Sequence, residues 1–406
     1  MRIWCWIFAF ACGAAASAAV AKSPPHGVFN VKEYGAVADG KSDTAQAFLG
    51  AWKDACAWKG RSRMVIPEGS FLVGPDEFEG QCPNASPIVV QVKGLVKATI
   101  DMSKYLSDKW IGRSVWHLNS CPSNANCKHL PTSIKFYSMT NMTLRRISSI
   151  DSKFFHIAMH GCKNVKAHHL RISARANSPN TDGIHISSST GIKIARSQIG
   201  TGDDCISIGP GSHDIFIKNI FCGPGHGISL GKYQNEEDVS GLKVRNCTIS
   251  NTTNGRRIKT WPGSTSSSAT NFTFNDVIMN NGLNPIIIDQ EYCPHSSCRS
   301  KMTTTNTNTP YLSLYTAIFC ITSPLYYLET FPPSRVKIEN ITFKDIRGTS
   351  ASMIAVNLLC SKNLPCRNLK LKNINLKYKG EAQSSSSFCS NVVGDSYGLQ
   401  IPPTCL

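Results

Sequence analysis

Acidic motifs and one histidine recur along this chain at a constant interval. Asp182 precedes a glycine, Asp203 and Asp204 are adjacent, and His226 lies between two glycines. The steps from Asp182 to Asp204 and from Asp204 to His226 are both 22 residues. In a repeat protein, residues one repeat apart occupy equivalent places on neighbouring repeats. The interval therefore predicts that three carboxylates and an imidazole converge on one face.

Converging carboxylates suit acid–base chemistry. Neighbouring carboxylates raise one another's pKa, so one can remain protonated as an acid while another is ionised as a base. Each motif alone is typical of a turn or loop, and it is the common spacing that favours a site. Further along, Arg257 and Lys259 are two residues apart. In a strand both would point to the same side, where they would bind the carboxylates of an acidic ligand.

The elements that position these residues are predicted by a repeated phrase. Apolar and polar residues alternate in eight segments, which is the pattern of a strand with one buried face. These segments are 141–147, 164–170, 191–199, 214–220, 241–249, 271–277, 335–341 and 368–374. Successive starts differ by 23, 27, 23, 27, 30, 64 and 33 residues, and hairpin signals are scarce. The pattern predicts an all-β solenoid, a parallel β-helix, rather than a β-sandwich.

The two ends of the chain indicate its compartment and its cap. Residues 1–21 combine Arg2, an apolar run and a small-residue cleavage site, which predicts a signal peptide. Residues 22–406 would then form one secreted domain with no membrane-spanning segment. Residues 42–44 precede an amphipathic stretch over 45–56, which predicts a short N-terminal helix that caps the solenoid.

Charge and cysteine usage agree with this compartment. The formal charge is +17, from 43 Lys and Arg against 26 acidic residues, and it favours a polyanionic partner. For a secreted chain we expect acidic wall polysaccharide rather than nucleic acid or a membrane. Six glycosylation sequons are present, at Asn84, Asn141, Asn246, Asn251, Asn271 and Asn340. The cysteine spacing suits local disulfides, namely Cys121–Cys127, Cys293–Cys298, Cys360–Cys366 and Cys389–Cys405.

The four motifs together resemble the polygalacturonases, from about residue 34 to residue 405. These motifs are 180–182, 202–204, 225–227 and 257–259. The resemblance implies a right-handed, single-stranded β-helix that hydrolyses α-1,4-linked galacturonate with inversion at the anomeric carbon. It implies a pectin-degrading glycoprotein of the cell wall, without metal or other cofactor, and we expect a monomer.

The resemblance also assigns roles to residues. Asp203 would be the general acid, Asp182 and Asp204 would activate water, and His226 would tune the proton of the acid. The substrate would contact Asn180, Arg257, Lys259 and Tyr292. Adjacent coils by themselves suggest a short carboxyl separation, which goes with retention of configuration. Inversion is thus taken from the resemblance. The segment 232–239 resembles exo-acting plant members, and exo attack is expected.

Three alternatives stay open at the level of sequence. An endo-acting polygalacturonase would differ only in loops at the ends of the cleft. A pectate lyase would share the β-helix but require Ca²⁺ and an arginine base. An inactive pectin-binding wall protein is the third, because the chain departs from the family in several places. Residues 302–331 form an atypical insertion that contains Cys320, the expected unpaired thiol. Compared with the family, the chain lacks residues near 111–115 and near 228–231, and Arg256 occupies a position where the family has an apolar residue.

Overall fold

The computed structural model describes residues 27–101, 104, 130–232, 236–293, 332–380 and 384–406. The predicted signal peptide over 1–21, the segment 302–331 with Cys320, and the shortened stretch at 111–115 lie outside these residues. So do Cys121, Cys127 and Cys298, and residues 233–235 within the segment 232–239 on which exo attack was predicted. Within the described part, no helix is long and apolar enough to cross a membrane.

The chain begins with two short parallel sheets and one helix. The first sheet contains β1 (Gly27–Asn30), β3 (Gly60–Ile66) and β5 (Ala85–Val92). The second contains β2 (Asp39–Asp43), β4 (Ser70–Val73) and β6 (Leu95–Ala98). A 3₁₀ turn over Val31–Tyr34 and helix α1 (Ala45–Ala57) accompany them, and α1 buries Phe48 and three alanines. The predicted N-terminal helix is confirmed.

One face of the solenoid is a nine-strand parallel sheet, here called the cleft sheet. Its strands are β7 (Ile134–Tyr137), β10 (Ile157–His160), β13 (Ile184–Ser187), β15 (Ile206–Ile208), β17 (Ile228–Lys232), β20 (Asn254–Thr260), β22 (Asn284–Asp289), β24 (Ile354–Leu359) and β26 (Ser386–Ser390). Strand β17 pairs in register with β15 and β20. The stack of strands is therefore continuous here, although the chain is shorter than the family near 228–231.

The second face is a twelve-strand parallel sheet, here called the back sheet. Its strands are β8 (Thr143–Arg145), β9 (Ser148–Ile150), β11 (Lys166–His168), β12 (Arg171–Ser173), β14 (Lys193–Gly200), β16 (Phe216–Cys222), β18 (Val239–Ser240), β19 (Lys243–Ser250), β21 (Ser267–Gly282), β23 (Val336–Ser350), β25 (Cys366–Tyr378) and β27 (Val392–Ile401). Each predicted alternating segment overlaps one of these strands. The two sheets form the predicted right-handed parallel β-helix.

Asparagine side chains at the turns set the register between coils. Asn141, Asn164 and Asn271 take left-handed backbone conformations, with φ between 54° and 63°, which asparagine tolerates better than most residues. Hydrogen bonds link such residues from coil to coil, as in Asn164 Nδ2 to Asn141 Oδ1 at 3.3 Å and Asn340 Nδ2 to Asn271 Oδ1 at 3.1 Å. Each bond pairs an amide donor of one turn with an amide oxygen of the preceding turn.

This ladder corrects one of the predicted repeat units. The phrase at 335–341 alternates well, but strand pairing places Phe272 opposite Ile341. Asn340 is therefore the equivalent of Asn271, and the true unit begins five residues later than predicted. Strands β21 and β23 pair directly, so they belong to successive coils of the solenoid.

Isoleucine ladders fill the interior. In the cleft sheet Ile184, Ile206 and Ile228 occupy one register position on three successive coils, and Ile286 occupies it two coils further on. All four are buried. Full burial of such a side chain contributes roughly 1.5–3 kcal/mol. Arg256 occupies the rung between Ile228 and Ile286. Its side chain is fully buried, and its guanidinium nitrogens have no hydrogen-bond partner within the described part of the chain.

Disulfides confirm part of the cysteine prediction. Cys360–Cys366 and Cys389–Cys405 form as expected, and Cys293 is also in a disulfide. Two further bonds, Cys56–Cys82 and Cys205–Cys222, were not predicted from the sequence. Among the described residues, Cys162 and Cys247 are buried free thiols.

Candidate active site

The motif residues lie on successive coils, directly before strands of the cleft sheet. Asp182, Asp204 and His226 each precede by two residues the first residue of β13, β15 and β17, and those first residues are paired in register. Backbone bonds continue the alignment upstream, with Gly183 N donating to Asp204 O at 2.9 Å. The predicted convergence on one face is therefore present in the structure.

Asp203 and His226 form a close acid–imidazole pair. His226 Nδ1 is 3.0 Å from Asp203 Oδ1, and the same oxygen accepts a 2.7 Å hydrogen bond from Asp204 N. The bond to Asp203 is the main cause that raises the pKa of His226. Burial alone would raise the pKa of Asp203, but the bond and charge of His226, with Lys259 and Arg257, lower it. Both shifts favour the proton of this pair on the imidazole rather than on the carboxylate.

Asp204 is paired with a cation inside the wall of the site. Arg257 Nη2 donates to both of its carboxylate oxygens, at 3.2 and 3.3 Å, and Ser229 Oγ donates at 2.6 Å. Arg257 Nε reaches the same Ser229 hydroxyl at 3.2 Å. Both charged side chains are largely buried, with relative exposures of 5% for Asp204 and 10% for Arg257. Arg257 thus forms an ion pair with Asp204, a carboxylate of the protein itself.

Asp182 has a different environment. Burial is the main cause that raises its pKa well above the usual value, and the charges of Asp203 and Asp204 add to it. Ser207 hydrogen-bonds its carboxylate, and Ser207 Oγ lies 2.8 Å from His185 Nδ1. A serine hydroxyl has a single proton. If Ser207 donates to Asp182, His185 must carry its proton on Nδ1 and donate to Ser207.

Lys259 and Tyr292 form a cationic and aromatic corner beside the carboxylates. Lys259 Nζ is 4.8 Å from the centre of the Tyr292 ring, and the Arg257 guanidinium carbon is 5.7 Å from it. The ring of Trp261 meets the ring of Tyr292 edge-on at 5.8 Å. Lys259 is near enough to lower the pKa of both Asp182 and Asp203. An acidic sugar in this corner would meet an ammonium group and two apolar ring surfaces.

The remaining predicted residue, Asn180, lies in the turn before Asp182 and has a left-handed conformation with φ of 54°. Sequence reasoning missed four residues of the site: His185, Ser207, Ser229 and Trp261. Three of them carried a readable signal, because His185, Ser207 and Ser229 are spaced by the same 22 residues as the motifs. Trp261 continues the period-two spacing of Arg257 and Lys259.

A metal ion is a poor match for this donor set. One ligand atom from each of Asp203, Asp204 and His226 lies within 4.8 Å of the others. Arg257 already occupies both oxygens of Asp204, and its charge would repel a cation. His226 Nδ1 is engaged with Asp203. The arrangement suits shared protons better than a Ca²⁺ site, which takes six to eight oxygen ligands.

Fold and site define the class of protein: a β-helical enzyme with paired carboxylates, the machinery of glycoside hydrolysis. The chain matches the family described as "Glycosyl hydrolases family 28" over residues 112–309 and 328–397. It is 41% identical to an exopolygalacturonase of Platanus acerifolia, over 92% of this chain and 97% of that protein. It is 40% identical to a polygalacturonase of Gossypium hirsutum, over 92% and 89%. The chain belongs to glycosyl hydrolase family 28.

Solved structures share the fold. An endo-xylogalacturonan hydrolase from Aspergillus tubingensis superposes with a TM-score of 0.66 at 20% identity, covering 91% of this chain and all of that one. An exopolygalacturonase from Thermotoga maritima gives a TM-score of 0.65 at 17% identity, covering 91% of each chain. Membership of glycosyl hydrolase family 28 makes the protein a glycoside hydrolase, and the pectate lyase alternative is set aside.

Proposed function

We propose that this chain is a secreted polygalacturonase that hydrolyses α-1,4-galacturonosyl bonds of unesterified pectin in the cell wall. The observation that carries the proposal is the pairing of Asp203 with His226 beside Asp182 and Asp204. The names of its relatives support the substrate class. We further propose that residues 1–21 are removed as a signal peptide and that residues 22–406 act as a single domain.

The proton donor is the Asp203–His226 pair. A general acid must hold a proton at the working pH, whereas the pKa of Asp203 alone is lowered in the ligand-free site. Its neighbour His226 holds a proton instead, because the bond to Asp203 raises the histidine pKa. Transfer across the 3.0 Å contact would supply Asp203 as it protonates the leaving oxygen of the sugar.

Asp182 and Asp204 activate the attacking water in this proposal. Asp204 is held in place by Ser229 and Arg257. Asp182 has a raised pKa, which makes it a base of useful strength once ionised. Lys259 and Tyr292 line the subsite for the neighbouring galacturonate, and Asn180 contributes from the turn. With three carboxylates around the water, we assign inversion to the reaction.

Exo attack is proposed from two of the relatives, the exopolygalacturonases of Platanus acerifolia and Oenothera organensis, each 41% identical to this chain. An exo enzyme releases single units from a chain end, whereas an endo enzyme releases mixed oligomers. Chromatography of the products from polygalacturonate therefore separates these modes. Proton NMR of the first product gives the anomeric configuration and tests inversion.

The test variant Asp203→Asn removes a carboxylate from the site. Its matched control, Asp214→Asn, removes a carboxylate from an exposed turn. We expect Asp203→Asn to lower kcat by about a hundredfold or more and Asp214→Asn to leave it unchanged. If correctly folded wild-type chain releases no product, the hydrolase proposal fails and the inactive wall-binding alternative is favoured. An unsaturated product absorbing in the ultraviolet would mean elimination instead.

A further inference from the structure

The outer surface of the back sheet carries two rows of basic side chains. Strand pairing places Lys166, Lys193, Phe216 and Lys243 in one row on four successive coils. The second row, two residues further along each strand, contains His168, Ala195, Lys218 and Arg245. Residues between the rows, such as Ile194 and Val244, are fully buried. The rows therefore face outward, as the alternation of a strand requires.

This surface has one sign of charge. Strands β8, β11, β14, β16 and β19 contain no aspartate or glutamate. Strands of the same sheet lie about 4.8 Å apart, so cations on neighbouring coils repel one another, and like charges in such positions are destabilising. Farther along the sheet, acidic residues appear at Asp276 and Asp345, where Arg347 and Lys344 are paired with them. The longest run of neighbouring strands without an acidic residue is thus the stretch from β8 to β19.

This stretch does not belong to the catalytic site. The carboxylates precede strands of the cleft sheet, whereas the basic rows are on the back sheet. Residues 188–192 turn the chain from β13 of one sheet to β14 of the other. A polymer bound along the rows would therefore follow the solenoid axis on a separate face and cross one coil after another.

We propose that the back-sheet rows are a second, non-catalytic binding surface for unesterified galacturonan, the polymer that the cleft hydrolyses. The inference rests on the proposed function for the identity of the polymer. A galacturonan chain carries one carboxylate on every sugar, so it presents a row of negative charges to two rows in which five of eight positions are lysine or arginine. Phe216 adds an apolar surface within the row, with Lys218 Nζ 5.7 Å from the centre of its ring. Binding here would hold the enzyme on the wall while the cleft works.

The test uses two variants with the same change of net charge. The back-sheet variant combines Lys193→Gln, Lys218→Gln, Lys243→Gln and Arg245→Gln. The control combines Lys32→Gln, Lys53→Gln, Lys93→Gln and Lys362→Gln, four exposed cations elsewhere. Both are measured by biolayer interferometry on polygalacturonate fixed through its reducing end, in the Asp203→Asn background so that the polymer persists. A saturating short oligogalacturonide occupies the cleft in every run.

We expect the back-sheet variant to lose roughly tenfold or more in affinity at low salt and the control to lose much less. Fully methyl-esterified pectin, which lacks free carboxylates, should bind poorly to all chains. Equal losses in both variants would overturn the proposal in favour of net charge alone. No loss in either, or equal binding of esterified pectin, would overturn it as well.

A separate assay distinguishes failure of this surface from failure of the proposed function. Hydrolysis of a short oligogalacturonide uses the cleft alone, so kcat/KM should be the same in the back-sheet variant and the wild type. On polymer, the variant should show a raised KM with kcat retained. A wild-type chain that hydrolyses neither substrate yet binds polymer through these cations would refute the hydrolase proposal while supporting the surface.

Discussion

Replacement of Arg256 by isoleucine is expected to stabilise the protein. Arg256 occupies a rung between Ile228 and Ile286 in a ladder that is otherwise aliphatic, and its side chain has 0% exposure. Three guanidinium nitrogens have no hydrogen-bond partner in the described part of the chain. A buried charge without a partner opposes folding strongly, because its hydration is lost and nothing replaces it.

The size of the effect follows from two estimates. Burial lowers the pKa of Arg256 to about 9, and at 1.36 kcal/mol per pKa unit this shift corresponds to a cost of about 5 kcal/mol. Replacement of buried ionic groups by apolar residues of similar volume stabilises other proteins by about 1–4 kcal/mol. We therefore expect Arg256→Ile to raise the free energy of unfolding by about 1–4 kcal/mol.

The sign of the pH dependence gives a second readout. The folded pKa of Arg256 is lower than the unfolded pKa, so the folded state binds the proton less tightly. The cost is complete below about pH 9 and shrinks as pH rises further toward the higher pKa of the unfolded state. The advantage of Arg256→Ile should therefore be constant near neutrality and narrow above pH 9.

Thermal and urea unfolding of the wild type and Arg256→Ile would measure the change, with the exposed Arg171→Ile as the matched control. The control should stay within about 0.5 kcal/mol of the wild type. Activity of Arg256→Ile should be unchanged, because its neighbour Arg257 points to the opposite side of the strand. A loss of stability of 1 kcal/mol or more would refute the reasoning. It would mean that the guanidinium has a partner, such as a buried anion or ordered water.

Two further predictions concern the proton inventory of the site. The substitution His226→Ala removes the group that holds the donor proton. The basic limb of the pH profile of kcat/KM should therefore move to lower pH by about one unit or more. An unchanged basic limb would contradict the Asp203–His226 pair as the proton donor. Ser207→Ala removes the hydrogen bond to Asp182, and His185→Leu removes the contact that orients this bond. Each substitution should raise the pKa of Asp182 and so move the acidic limb of the profile to higher pH. His185→Asn keeps a donor near the Nδ1 position and should restore the acidic limb, whereas a purely structural role would give the same profile for Asn and Leu.

The site was largely predictable because a solenoid converts sequence interval into spatial proximity. The 22-residue step between Asp182, Asp204 and His226 equals the step between the paired strands that follow them. In most folds such spacing would say little, since loops of varied length separate the elements. The same rule would have found Ser207 and Ser229, whose positions between two apolar residues resemble ordinary strand serines. Their role depends on which carboxylate lies within reach, and this requires coordinates.

Other features were outside the reach of sequence. The repeat unit at Arg335 was displaced by five residues because both frames alternate, and only strand pairing with Phe272 separates them. The disulfide between Cys205 and Cys222 joins the residue that follows Asp204 to the last residue of β16 in the back sheet. The positions of these cysteines in the sequence do not indicate that they pair. The ion pair of Arg257 with Asp204 was also not predicted. The side chain was predicted to bind substrate, and in the structure it contacts the carboxylate of Asp204.

Through the same cations, a bound substrate would affect whether Asp203 or His226 holds the proton. Lys259 and Arg257 lower the pKa of Asp203 while the site is empty. A galacturonate carboxylate bound against Lys259 would offset part of that positive charge, and the pKa of Asp203 would rise toward that of an acid able to protonate the leaving oxygen. A neutral sugar would leave the cations uncompensated and the proton on His226. Discrimination between acidic and neutral polymers would then appear in kcat as well as in KM, because the substrate charge that is recognised also prepares the acid.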